Sequence, residues 1–313
     1  MPEEVLVSVE TGDDAAVYRL PDGRALVATV DFFTPIVDDP YDWGRIAAAN
    51  AFSDVYAMGA KPAIALNLTS WPVDDLPLDL LVRVLQGGQD IANEAGVVVL
   101  GGHSITDPEP KYGMVALGFA DAERIVRNST APVGAALFLT KPLGTGMLST
   151  AIKRGSADPE RVAEATTLMT TLNAAAAEAL LESGAEAATD VTGFGLLGHL
   201  SSMLEASGVA ARVDAGAVPL LPGTLDLART GVVPSGTRRN HAFLRGRADW
   251  GHLSEPEQLV LADAQTSGGL LIAAADADRL ASALLARGVQ AVQIGETVPG
   301  PPGSIGVAGR LER

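Results

Sequence analysis

Cysteine is missing altogether from the 313 residues. That excludes disulfides, thiolate zinc sites and a cysteine nucleophile within this sequence. Aromatic residues are scarce at 4%, and the 19% of charged residues form no run of like charge. No apolar run approaches the roughly 20 residues that cross a bilayer. "GVVVL" and "GGLLIAAA" stop well short, and the N-terminal "MPEEVLVSVE" carries no signal-peptide pattern, so the expectation is a cytoplasmic protein with no membrane partner. Basic residues are outnumbered, 22 against 38 acids, and the net charge of −16 repels polyphosphate backbones. No nucleic-acid partner is expected. What the chain does have is 47% hydrophobic residues, the composition of a well-buried globular protein, at a length that predicts two domains.

Short β-like runs alternate with helix-like segments, which predicts an α/β or α+β architecture. "RALVATVDFF" reads as a strand after the turn signal Pro21-Asp22-Gly23, with Asp31 at its end. A helix is expected over residues 41–58, with Asp42 as its N-cap and Gly59 and Pro62 as stop signals. A second is expected from Leu78 to Glu94 behind Pro77, followed by a buried strand from Val97 to Leu100 that ends at Gly101-Gly102-His103-Ser104. The turn-like "NSTAPVG" before the strand "ALFLTKP" marks a domain boundary near Pro132, dividing the chain into 1–131 and 132–313. Beyond it, "LMTTLNAAAAEALLESG" reads as one long alanine-rich helix.

Asp14, Asp31, Asp54 and Asp190 all interrupt or end apolar segments. Any one of them reads as a cap or an Asx-turn residue. Together they read as a site, because Asn50 lies one helical turn before Asp54 on the same face. Aspartates converging in a dry cleft need cations to neutralise them. Oxygen ligands without histidine or cysteine favour Mg²⁺, joining carboxylates to substrate phosphates. "GGHS", "GTG" and "TSGG" offer backbone N–H groups for those phosphates, although none completes a Walker loop or a dinucleotide fingerprint. His103 reads either as a structural histidine or as a direct contact, and His199 as structural.

The strings "DDAAVY", "TVDFFTPIVDDPYDWGRIAAANAFSDVYAMGAKP", "GGHSITDPEPKYG", "LTKPLGTG", "TDVTGFGLLGHL" and "DAQTSGGLL" resemble, in order and across essentially the whole chain, selenophosphate synthetase, also called selenide, water dikinase. The resemblance implies a two-domain fold like that of aminoimidazole ribonucleotide synthetase. It also implies a homodimer whose N-terminal domains pair into a β-barrel, and an ATP site in the cleft between domains and subunits. The implied reaction takes ATP, selenide and water to selenophosphate, AMP and phosphate. By motif, Asp14, Asp31, Asp54 and Asp190 match the family's metal-binding aspartates, with Asp14, Asp31 and Asp54 also in the ATP site. Thr29, Asn50, Gly101, Gly102, His103 and Ser104 match nucleotide-contacting segments.

The family also carries an N-terminal glycine-rich loop with a reactive cysteine or selenocysteine and, three residues on, a lysine; no residue here matches either. No catalytic residue is therefore assigned. The expectation is a truncated chain that binds Mg-ATP without completing the reaction. The alternatives are another ATP-using member of the superfamily, or a noncatalytic nucleotide-binding paralogue.

Overall fold

A computed structural model describes residues 2–8 and 12–311. Among these residues the first half contributes β1 (Val5–Val7), β2 (Ala16–Arg19), β3 (Arg24–Phe33), α1 (Pro40–Ala57), β4 (Lys61–Trp71), α2 (Leu78–Ala95), β5 (Val98–Thr106) and β6 (Lys111–Asp121). Its six strands form one mixed sheet in the order β1-β2-β3-β6-β4-β5.

The second half runs β7 (Ala136–Leu139), α3 (Thr145–Lys153), α4 (Pro159–Thr170), α5 (Ala174–Ser183), β8 (Ala187–Asp190), α6 (Gly195–Ser207) and β9 (Ala210–Asp214). It continues with α7 (Thr224–Arg229), α8 (Ser235–Phe243), β10 (Ala248–Asp249), α9 (Glu255–Leu261), β11 (Leu270–Ala274), α10 (Ala277–Ala286), β12 (Val292–Val298) and β13 (Ile305–Ala308). These strands make a seven-stranded sheet ordered β10-β13-β9-β12-β7-β11-β8.

Helix α1 joins the two layers. It is buried almost continuously from Trp43 to Ala57, so it has no polar face of the kind a surface helix carries. One core runs from the first sheet through α1 and α2 to Phe138, Ala188 and Ile272 on the near face of the second sheet; a separate core packs that sheet's far face. Glycines let α1 and α2 touch backbone to backbone. A Cβ on Gly44 would stand 1.9 Å from the Val84 carbonyl oxygen, and one on Gly87 2.0 Å from that of Tyr41.

Several expectations need correction. The N-cap of α1 is Asp39, whose carboxylate accepts from the Tyr41 and Asp42 amides; Asp42 instead pairs with Arg45 at 3.2 Å. Pro40 takes the first helical position, so the cap must precede it. The alanine-rich segment is two helices, because Asn173 turns its amide inward to donate to Ser53 Oγ at 2.8 Å and to the Gly268 carbonyl at 2.9 Å. Strand β5 does not stop at Leu100 and is not buried: it runs through the glycines to Thr106 as a sheet edge, with Val98 57% and Leu100 64% exposed. An apolar β-branched run fits an open edge as well as a core.

Candidate functional site

The four aspartates come from four places in the fold. Asp14 lies just before β2, Asp31 within β3, Asp54 in the last turn of α1, and Asp190 ends β8. Asp31 lies inside its strand, since Phe32 and Phe33 still pair with Gly113 and Tyr112 of β6. Period-two alternation turns Thr29 and Asp31 toward α1, where Asn50 and Asp54 meet them. Strand β8, covered on both faces, brings Asp190 in at 1% exposure.

Every partner of these carboxylates is neutral. Asn50 Nδ2 donates to Asp31 Oδ2 at 2.7 Å, the Thr29 hydroxyl to Asp54 Oδ2 at 2.5 Å, and the Thr189 hydroxyl to Asp14 Oδ1 at 2.7 Å. Ser53 favours the charged form of Asp190. None of the ion pairs among the described residues includes any of the four. Burial, and after it the charge of Asp190, raises the Asp14 and Asp54 carboxyls well above the ordinary range. Burial lifts Asp31 and Asp190 to about 6. Asp31, Asp14 and Asp190 all repel Asp54, so the four groups share one electrostatic neighbourhood.

Buried oxygens in that neighbourhood lack hydrogen-bond partners: Asp14 Oδ2, Asp190 Oδ2, and Oδ2 of the adjacent Asp13. Leaving such atoms unpaired is costly, and a hard cation satisfies them where protein donors do not. Among the described residues, no three acidic or histidine side chains are arranged as a ready-made metal cage. The repulsion and the bare oxygens weigh more here than that spacing, because Mg²⁺ keeps several waters and takes one or two carboxylates alongside phosphate.

The glycine-rich candidates are dispersed. Gly101, Gly102, His103 and Ser104 lie in β5, separated from β3 by β6 and β4, so within one chain they do not join the aspartates. A Cβ on Gly102 would stand 2.1 Å from the Asn67 carbonyl oxygen, which accounts for glycine there. Two of the three "GTG" amides are already used: Gln265 Oε1 accepts from the Gly144 and Thr145 amides at 3.0 and 3.1 Å. "TSGG" leads into β11 rather than a helix. His199 is structural as expected, its Nε2 accepting from the Thr192 amide at 3.1 Å while burial pushes the ring down to about 4.

Comparison with known proteins places the chain in a family. The N-terminal and C-terminal domain models of the AIR synthase related proteins match residues 12–120 and 132–308. A selenide, water dikinase of Myxococcus xanthus is 51% identical over 306 residues, covering 96% of this chain and 86% of that one. One from Carboxydothermus hydrogenoformans is 48% identical over 293 residues, covering 93% and 85%. The chain belongs to the selenide, water dikinase family. Solved structures similar to it include thiamine-monophosphate kinase from Stenotrophomonas maltophilia K279a, with a TM-score of 0.72 at 22% identity over 98% of this chain and 92% of that one. Hydrogenase maturation protein HypE in complex with ATP has a TM-score of 0.68 at 20% identity, covering 91% and 83%. At such identities the likeness is one of fold: selenide, water dikinases share the two-domain α/β architecture of the AIR synthase related proteins.

Some residues around the aspartate cluster were not legible beforehand. Ser53, Thr189 and Asn173 orient the aspartates or the loops beside them, and Lys141 puts a buried ammonium near Asp190. Burial pushes Lys141 down to about 7, while the charge of Asp190 works the other way. Thr189 and Ser53 adjoin the aspartates Asp190 and Asp54 in sequence, a usable signal. For Lys141 and Asn173 only the tertiary contacts reveal the role.

Proposed function

We propose that the protein binds Mg-ATP for the selenide, water dikinase reaction, in which a phosphoryl group moves from ATP to selenide and the remaining ADP-like species is hydrolysed to AMP and phosphate. No residue of this sequence supplies the family's reactive cysteine or selenocysteine and its lysine. The observation that carries this reading is the convergence of Asp14, Asp31, Asp54 and Asp190, the last buried and the others partly buried, mutually repelling, and with neutral hydrogen-bond donors among the described residues. The donor set is all oxygen, with bare Asp14 and Asp190 oxygens, and suits Mg²⁺, an ion taking one or two of these four carboxylates alongside phosphate. When bound, the cation neutralises and orients the phosphates. Asn50 and Thr29 hold Asp31 and Asp54 in place, and the burial of Asp190 keeps bulk water from its carboxylate. Gly101, Gly102, His103 and Ser104 belong to the nucleotide site in this reading, reached from the sheet edge. Calorimetric titration with ATP tests it: binding is expected with Mg²⁺ and roughly tenfold or more weaker in EDTA. Thiamine monophosphate is expected to add no heat. Nucleotide affinity indifferent to Mg²⁺ would overturn the reading.

The same reading includes a homodimer joined through the first sheet. Register puts Val30, Phe32, Val115, Leu66, Val98 and Ile105 on the face away from α1, and Phe32 and Ile105 are each 51% exposed. An irregularity in the β4–β5 pairing between Ala65 and Asn67 adds one residue on β5, which keeps Val98 and Ile105 on that common face. An apolar sheet face of this kind supports pairing with a second copy. Sedimentation equilibrium at the mass of one chain would remove the dimer. The division into 1–131 and 132–313 is also part of the proposal, since residues 125–135 carry the chain from one sheet to the other. Limited proteolysis cutting first elsewhere would move it.

A further inference from the structure

Lys141 follows β7 and is 5% exposed, yet among the described residues it forms no ion pair with a carboxylate. Its Nζ donates to two carbonyls, that of Thr171 between α4 and α5 at 2.6 Å and that of Ser267 at 3.0 Å. Ser267 is unusual. Among the described residues it is the one non-glycine with positive φ, at 48°, and its buried hydroxyl has no partner. Its amide donates to Asn50 Oδ1 at 2.9 Å, and Asn50 Nδ2 donates on to Asp31 Oδ2 at 2.7 Å. An unbroken line of hydrogen bonds therefore runs from Lys141, in the second half of the chain, to Asp31 in the first sheet. A left-handed serine persists only where its surroundings hold it, and here both of its peptide groups are gripped, one by Lys141 and one by Asn50.

We propose that Lys141 is a positioning residue of the nucleotide site: by gripping the Ser267 carbonyl it holds that residue left-handed, so that the Ser267 amide fixes Asn50 and Asn50 aims Asp31. The inference rests on the Mg-ATP reading of the aspartates and adds to it the device that ties the two sheets together at the site. Buried charges usually come in pairs; this one serves carbonyls, and the conformation it imposes reaches a residue three hydrogen bonds away.

The test is Mg-ATP titration of the wild type, Lys141→Met, and the double variant Lys141→Met/Ser267→Gly. Methionine keeps the length and apolar stem but removes the donors. K141M is expected to bind Mg-ATP roughly 10- to 100-fold more weakly, as losses of supporting contacts around a metal site do. In the double variant most of that affinity is expected to return, because glycine adopts positive φ without strain and no longer needs the grip. A structural role alone predicts that S267G raises the melting temperature without restoring affinity, and that result would overturn the inference. So would K141M binding like the wild type. A wild type that does not bind Mg-ATP would sink the nucleotide reading instead. Should K141M fail to fold, ¹⁵N-lysine labelling of the wild type decides. Of Lys61, Lys111, Lys141 and Lys153, Lys141 alone is buried and is expected to give an exchange-protected ammonium signal that moves when Mg-ATP is added. A protected signal unmoved by Mg-ATP, or no protected signal, would overturn it.

Discussion

Asp54→Asn is expected to weaken Mg-ATP binding by roughly 100-fold or more, about 3 kcal/mol, while leaving the metal-free protein as stable as before or more so. The two effects have one cause. The partly buried Asp54 carboxylate lies among Asp190, Asp31 and Asp14, all of which disfavour its charge, and its one side-chain donor among the described residues is the Thr29 hydroxyl. Asparagine keeps the size and an acceptor oxygen for Thr29 but removes a charge that its surroundings oppose, so folding loses little and gains relief from repulsion. A cation site loses a ligand in the same step. Calorimetry gives the affinity, and thermal melting in EDTA at pH 8 gives the stability. Unchanged affinity would remove Asp54 from the site; a large fall in melting temperature would show the carboxylate to be structural.

In EDTA the protein is expected to melt roughly 5 °C or more higher at pH 5 than at pH 8, a difference that Mg-ATP largely abolishes. The sign follows from the carboxyls. Asp31 and Asp190 hold their protons up to about 6 in the folded state, and Asp14 and Asp54 are also raised well above the ordinary value of 3.8. The folded protein binds these protons more tightly than the unfolded chain, and the four carboxyls outweigh His199 and Lys141, which burial lowers to about 4 and about 7 and which therefore favour the higher pH. The stability the carboxyls contribute is complete below about 3.8 and is lost as pH rises through about 6 and beyond. Asp263, raised to about 7 by burial, adds to the slope, but it lies among Thr237, Gln265 and the Met147 amide rather than the site aspartates, so cation binding leaves its share untouched. Below about pH 4 the trend reverses as Asp22 and Asp107, whose carboxyls are lowered by Arg24 and Lys111, become protonated. A flat profile in EDTA, or equal protection by Mg-ATP at pH 5 and pH 8, would contradict this account.

Local pattern made some elements easy to read. "RALVATVDFF" is β3 from Arg24 to Phe33, and the second expected helix is α2, ending at Ala95 with Gly96 in the left-handed conformation that a closing glycine supplies. Reading failed where a residue's role is set by something far away in sequence. Asn173 breaks a run of good helix formers because Ser53 and Gly268 take its amide. The first two "GTG" amides look free until Gln265, some 120 residues on, occupies them.

The sequence alone determined the alternation of strands and helices, the family through its ordered motifs, and the four aspartates set against apolar segments. Those properties depend on neighbours within a turn or a pleat, or on motif order along the chain. Only the tertiary structure decided that Asp14, Asp31, Asp54 and Asp190 share one neighbourhood, that the GGHS strand lies on an open edge apart from them, and that Lys141 reaches Asp31 through Ser267 and Asn50. Burial, repulsion and hydrogen bonding act through space, and the chain separations they bridge leave no local periodicity to read.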